Sequence, residues 1–126
     1  MPKKILLTDD NEPFRRSVAV ILGEVGYEVA EAASGNEALA QLKTPGLQVD
    51  LLITDLNMPD MDGLQLMTEV KRVDRDLPVI AMSGSFSGRL LRFAATFGVA
   101  TIEKPFKRGA FLDLVNATLI NHSQIP

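Results

Sequence analysis

Three acidic residues stand where apolar runs end. Asp9 and Asp10 close Ile5-Leu6-Leu7-Thr8, and Asp55 closes Leu51-Leu52-Ile53-Thr54. Both runs read as buried strands that stop at carboxylates. Carboxylates brought together repel by about 1 kcal/mol per pair at roughly 4 Å in water, and by about 4 kcal/mol at an intermediate dielectric. A protein keeps such a cluster where a cation is to be held or where one carboxylate is to react. Two other run ends supply complementary groups. Ser83 follows Pro78–Met82 with a hydroxyl, and Lys104 follows Ala100–Ile102 with an ammonium. Hard oxygen donors with open positions suit Mg2+, which keeps several waters and takes one or two carboxylates plus phosphate oxygens. A hydroxyl and a lysine suit the remaining oxygens of a phosphoryl group. A carboxylate can also be the nucleophile, forming an aspartyl-phosphate. Asp55 stands alone at its strand end and is read as the nucleophile, leaving Asp9 and Asp10 to hold the metal.

Short apolar runs that alternate with helix-period segments must position these groups. Between the first run and the second, Tyr27–Ala32, lie Asn11 as a cap, Pro13 suited to a first helical position, and Phe14, Val18, Ile21, Leu22 and Val25 at helical spacing. Ser34-Gly35-Asn36-Glu37 matches a capping box and starts a second helix, which Pro45-Gly46 ends. After the third run, Asn57–Gly63 reads as a loop into a helix with Leu64, Met67 and Val70 on one face. A fourth helix carries Leu90, Leu91, Phe93, Ala94 and Phe97, and a fifth carries Phe111, Leu114, Val115 and Leu119. Five strands alternating with five helices predict an α/β fold, a doubly wound parallel sheet covered on both faces. Right-handed crossovers leave few topologies. The flavodoxin-like (βα)5 arrangement, strand order 2-1-3-4-5, puts strands 1 and 3 side by side at the switch point. Asp9, Asp10 and Asp55 then share one crevice.

Bulk properties exclude several function classes. The chain has 126 residues, one domain's worth, with a net charge of −3 that offers no basic face for nucleic acid. It has no cysteine, which removes disulfide and thiol chemistry and fits a reducing compartment. Three apolar residues after Lys4 are too few for a signal-peptide core, and no run approaches the ~20 residues of a membrane span. A cytoplasmic protein is expected. Residues 1–121 are expected to form the domain, and 122–126 a polar C-terminal tail.

The motifs Leu7-Thr8-Asp9-Asp10-Asn11, Asp55-Leu56-Asn57-Met58-Pro59-Asp60-Met61-Asp62-Gly63, Ser83-Gly84 and Lys104-Pro105-Phe106 occur in this order on these elements. In this the chain resembles the receiver domains of two-component response regulators, from Lys4 to about Leu119. The resemblance implies that Asp55 accepts a phosphoryl group from a phosphohistidine on a histidine kinase or histidine phosphotransfer protein. It also implies Mg2+ held by Asp9, Asp10, Asp55 and the backbone carbonyl of Asn57, with Ser83 and Lys104 on the phosphoryl oxygens. A cis Lys104–Pro105 bond would aim the lysine inward. Phosphorylation, adding about −1.5 to −2 charge, would draw Ser83 inward and bias the face of helix 4, strand 5 and helix 5 toward a downstream protein target. A phosphorylation-dependent homodimer through that face is compatible with the sequence. Such a domain is no turnover enzyme; it catalyses only its own phosphotransfer and dephosphorylation.

Taken singly, each motif has a plainer reading. Asp9-Asp10 could be a strand-end turn with a cap, Ser83-Gly84 a turn, and Lys104 a solvated charge. Arg15-Arg16 and Lys107-Arg108 read as solvated helix faces. Thr101 stands where receivers usually carry an aromatic switch residue, and Phe97 or Phe106 is the available substitute. The glycines and serines of Ser83–Gly88 predict a mobile loop. Three rivals follow. A receiver-fold binding module that works without phosphorylation draws on Thr101. A phosphohydrolase would want a carboxylate two residues past Asp55, where Asn57 stands. A flavin site would need a phosphate-cradling loop after strand 1, where Asp9, Asp10 and Glu12 instead repel phosphate.

Overall fold

The structure, a computed structural model, describes residues 2–84 and 88–123. Among the described residues, seven strands and five helices follow in order: β1 Lys4–Thr8, α1 Glu12–Glu24, β2 Glu28–Ala32, α2 Gly35–Leu42, β3 Leu51–Asp55, β4 Asn57–Met58, β5 Met61–Asp62, α3 Gly63–Val73, β6 Val79–Ser83, α4 Gly88–Phe97, β7 Ala100–Glu103 and α5 Arg108–Ser123. The main sheet is parallel in the order β2-β1-β3-β6-β7, which is the expected 2-1-3-4-5 once the small β4–β5 hairpin is set aside.

Residue alternation along the central strands sorts the core into two layers. Ile5, Leu7, Leu51, Ile53, Ile80 and Met82 meet Val18 and Leu22 of α1 and Phe111, Val115 and Leu119 of α5. Leu6, Leu52 and Val79 face the other way and meet Leu39 of α2 and Leu66, Met67 and Val70 of α3. β3 is buried along its whole length, as a strand covered on both faces must be.

The helix starts follow the side chains read from the sequence. Asn11 Oδ1 accepts from the Phe14 N–H at 3.0 Å, and Pro13 lies in the first turn. Ser34 Oγ accepts from the Glu37 N–H at 3.1 Å. Several details differ. Leu64 is 53% exposed, and Leu66 takes the core place beside Met67 and Val70. The helix begins at Gly63, one residue inside the expected loop, and its packing against Leu6, Leu52 and α2 turns Gly63, Leu66, Met67 and Val70 inward. Val25, at the C-cap of α1, is past the helical period and 49% exposed. The expected loop after Asp55 contains the antiparallel β4–β5 pair, with Met58 and Met61 turned inward and Pro59-Asp60 at its tip. Helix α5 runs to Ser123, with no glycine or proline to interrupt it near its end. The mobility expected for Ser83–Gly88 falls on residues 85–87, the end of the tail on 124–126, and the core roles of Leu90, Leu91 and Phe93 on their side chains. All lie outside the described residues.

Candidate functional site

The five parallel strands end together, and their register decides which side chains meet. Thr8 pairs with Thr54, Asp55 with Met82, and Ser83 with Glu103. Asp9 therefore leaves β1 beside the end of β3, and Lys104 leaves β7 beside Ser83. The Lys104 N–H donates to the Ser83 carbonyl at 2.8 Å. The Lys104–Pro105 bond is cis, as expected.

Asp9 and Asp55 are held alike. Each gives one oxygen to a backbone N–H two residues ahead: Asn11 to Asp9 Oδ1 at 2.9 Å, and Asn57 to Asp55 Oδ1 at 3.0 Å. Each turns its other oxygen to the Lys104 ammonium, Asp9 Oδ2 at 2.7 Å and Asp55 Oδ2 at 3.2 Å. Asp9 is fully buried and Asp55 nearly so, whereas Asp10 is exposed. Burial of Lys104 works against its charge. The hydrogen bond to Asp9 and the charges of Asp55 and Asp9 outweigh it, and the ammonium is held above the ordinary lysine value.

Asp9, Asp10 and Asp55 each offer a carboxylate oxygen within 4.8 Å of the others. Three carboxylates against one ammonium leave a surplus of negative charge on hard oxygen donors. Such a donor set fits a divalent cation of the Mg2+ kind, which takes a few carboxylates and keeps open positions. Ser83 is buried, and its Oγ accepts from Asn57 Nδ2 at 2.9 Å. All five side chains read from the sequence, Asp9, Asp10, Asp55, Ser83 and Lys104, thus meet at one rim. The side chain of Asn57 joins them.

Other residues at this rim were not anticipated. Arg15 is no solvated charge: its side chain is 12% exposed, its Nη1 donates to the Asp9 carbonyl at 2.8 Å, and its Nε pairs with Glu31 at 2.9 Å. Its neighbour Arg16 stays exposed, as expected. One turn into a helix that starts beside Asp9, residue 15 points back toward the strand ends, which a charge-pair reading overlooks. Asp60 accepts from the Gly35 N–H at 3.2 Å and the Asn36 N–H at 2.9 Å. It thereby ties the β4–β5 tip to the start of α2, where backbone N–H groups lack helical partners. Thr101 is half-buried on β7. Of the two candidate rings, Phe97 packs on the α2–α3 side. Phe106 lies at the site, 5.8 Å from the Phe14 ring and stacked at 4.7 Å on Phe111.

Comparison with known proteins gives a consistent result. The family model for the response regulator receiver domain matches residues 5–116. The chemotaxis protein CheY of Bacillus subtilis is 33% identical over 121 residues, covering 94% of this chain and 99% of that protein. The CAI-1 autoinducer sensor kinase/phosphatase CqsS of Vibrio cholerae is 31% identical over 119 residues, which is 91% of this chain but 17% of that protein. The chain therefore spans a small part of some curated relatives and nearly all of others. Among solved structures, a CheY-like receiver domain from Methanospirillum hungatei superposes with a TM-score of 0.92 at 28% identity, covering 98% of both chains. A CheX–CheY–BeF3–Mg complex from Borrelia burgdorferi superposes at 0.86 with 26% identity, covering 93% of this chain and 89% of that one.

Proposed function

Since this chain belongs to the family of response regulator receiver domains, the phosphoacceptor domains of two-component signalling, we propose that Asp55 is the residue that takes the phosphoryl group. The observation that carries this reading is the Lys104 ammonium, held from the end of β7 between two buried carboxylates on the ends of β1 and β3. An ammonium so placed is pre-oriented toward the oxygens of a group that attaches to Asp55, and costs no reorganisation when charge arrives.

The donor is a phosphohistidine on a histidine kinase or histidine phosphotransfer protein. An Asp55 carboxylate oxygen attacks phosphorus, a P–O bond forms, and the P–N bond breaks. The electron pair stays on the imidazole nitrogen, which takes up a proton. The Asn57 N–H fixes one Asp55 oxygen so that the carboxylate cannot rotate freely. Lys104 and the Ser83 hydroxyl receive the phosphoryl oxygens. Asp9, Asp10, Asp55 and the backbone carbonyl of Asn57 would hold Mg2+, which supplies charge neutralisation to the transferring group when bound. Return to the resting state is hydrolysis of the acyl phosphate or, in a relay, its onward transfer, and the domain turns over no free substrate.

The output is a contact with a downstream protein, through a surface biased by the new charge, or onward transfer in a relay. Whether the domain acts alone or within a longer protein decides which. A phosphorylation-dependent homodimer is a further form of the same output. The described helices include none long and apolar enough to cross a membrane, and the reading places the domain in the cytoplasm with its kinase. Half-buried Thr101, in place of a large switch ring, favours one competing reading, a receiver-fold module that binds without phosphorylation.

One experiment separates them. Acetyl phosphate with Mg2+ should add a single base-labile phosphoryl group by intact mass, and Asp55→Ala should abolish it. No mass gain in the parent, or an unchanged gain in the variant, refutes the assignment.

A further inference from the structure

We propose that Phe14 is a positioning residue of the phosphoacceptor site, its ring face forming the third wall of the seat that holds the Lys104 ammonium. The inference rests on the phosphoacceptor reading above and adds a residue that carries no polar group and contacts no reacting atom.

Lys104 Nζ lies 4.2 Å from the centre of the Phe14 ring. A cation at that distance from a ring face is attracted by the ring quadrupole. The same nitrogen is 2.7 Å from Asp9 Oδ2 and 3.2 Å from Asp55 Oδ2. Two carboxylates alone would leave the long lysine free to slide between them or to follow one of them. The ring limits that freedom from a third direction. It cannot be neutralised by a proton or a metal, so its hold on the ammonium persists when the carboxylates change partners.

The ring is itself well fixed. Phe14 follows the helix cap, and its own N–H is the one that Asn11 Oδ1 accepts. Phe106 meets it edge-on at 5.8 Å with an interplanar angle of 75°. Behind Phe106, the Phe111 ring stacks at 4.7 Å and 17° and is fully buried. Phe106 is also two residues past Lys104, beyond the cis peptide bond. The wall and the lysine are therefore built from one packed unit, and the ammonium is placed before any phosphoryl group arrives. Placement of this kind accelerates transfer by removing the search for the productive geometry.

The test uses the full chain with acetyl phosphate and Mg2+ as the phosphodonor system. Three proteins are compared: the parent, Phe14→Leu, which keeps an apolar side chain but removes the ring, and Phe14→Tyr, which restores the ring. Two quantities are read, the rate of acyl-phosphate formation and the NMR shift of the Lys104 ε-methylene protons. Protons over a ring face are displaced upfield. In the parent, these protons should lie upfield of those of exposed lysines. Phe14→Leu should lose that displacement and form acyl phosphate about three- to tenfold more slowly, the range a partly desolvated cation–π contact supplies. Phe14→Tyr should recover most of both. An unshifted Lys104 in the folded parent overturns the proposal without any variant. So does a Phe14→Leu rate equal to the parent's, or a Phe14→Tyr rate as low as that of Phe14→Leu, since packing volume alone would then be at work. A parent that takes up no phosphate refutes the phosphoacceptor reading instead, and shows it before any Phe14 variant is made.

Discussion

Replacing Asp10 with asparagine should stabilise the metal-free protein while weakening its hold on Mg2+. Asp9 and Asp55 each have Lys104 and a backbone N–H as partners, whereas Asp10 is exposed. Its carboxylate lies within 4.8 Å of both others. At about that separation two like charges repel by roughly 0.9 kcal/mol in water. Two such pairs double the figure, and attraction to the Lys104 ammonium removes part of it. A net relief of about 1 kcal/mol remains on removing the charge while keeping the side-chain shape. For a domain of this size that raises the melting temperature by about 3–5 °C. The opposite sign is expected with metal present. A ligand at ten times its dissociation constant stabilises the native state by about 1.4 kcal/mol, and loss of one charged donor removes much of that gain. Thermal melts of parent and Asp10→Asn, in chelator and across a magnesium chloride series at constant ionic strength, measure both effects. The chelator difference should shrink with added salt, because an exposed charge is screened. A variant no more stable than the parent in chelator, or one that gains as much from Mg2+, would refute the charge-cluster argument.

Lys104→Ala should destabilise the metal-free fold by about 2–3 kcal/mol in urea titration, below the usual cost of breaking a buried pair because the lysine is 20% exposed. Added Mg2+ should restore part of that loss, by supplying the positive charge that Asp9 and Asp55 lose. Gly63→Ala would place a methyl 2.9 Å from Leu56 Cδ2 and 3.1 Å from Leu56 Cβ. The expected loss is about 1–2 kcal/mol by the same titration, with Mg2+-dependent phosphorylation retained in the folded fraction.

The strand-end carboxylates were legible because a buried strand has no other use for charge. Asp9, Asp10 and Asp55 break apolar runs, and the alternation of runs with helical segments left few ways to arrange them. The helix caps Asn11 and Ser34 were legible for a similar reason, since their hydrogen bonds close within three residues. Arg15 is not legible in the sequence because its partners are the Asp9 carbonyl, just past β1, and Glu31 on β2, and no local pattern separates it from its exposed neighbour Arg16. Asp60 caps a helix that begins 25 residues before it, a distance no local rule spans. Leu64 faces solvent and Leu66 the core because packing against the sheet and α2, which helical spacing does not encode, selects the face that turns inward.

The parallel α/β architecture, the candidate rim and the groups that meet there are readable from the chain alone. These follow from hydrophobic periodicity and from residues that interrupt it, which are properties of the chain read in order. How those groups pair is set by the folded chain. It set one ammonium between two buried carboxylates, gave each carboxylate its own backbone donor, and joined Asn57 to Ser83. It also placed Phe106, and not Phe97, beside the lysine, against a Phe14 ring from the far end of the chain. The physical reason is that hydrogen bonds, ion pairs and ring contacts act over a few ångströms. Residues 9, 14, 55 and 104 come within that reach only when the sheet has assembled.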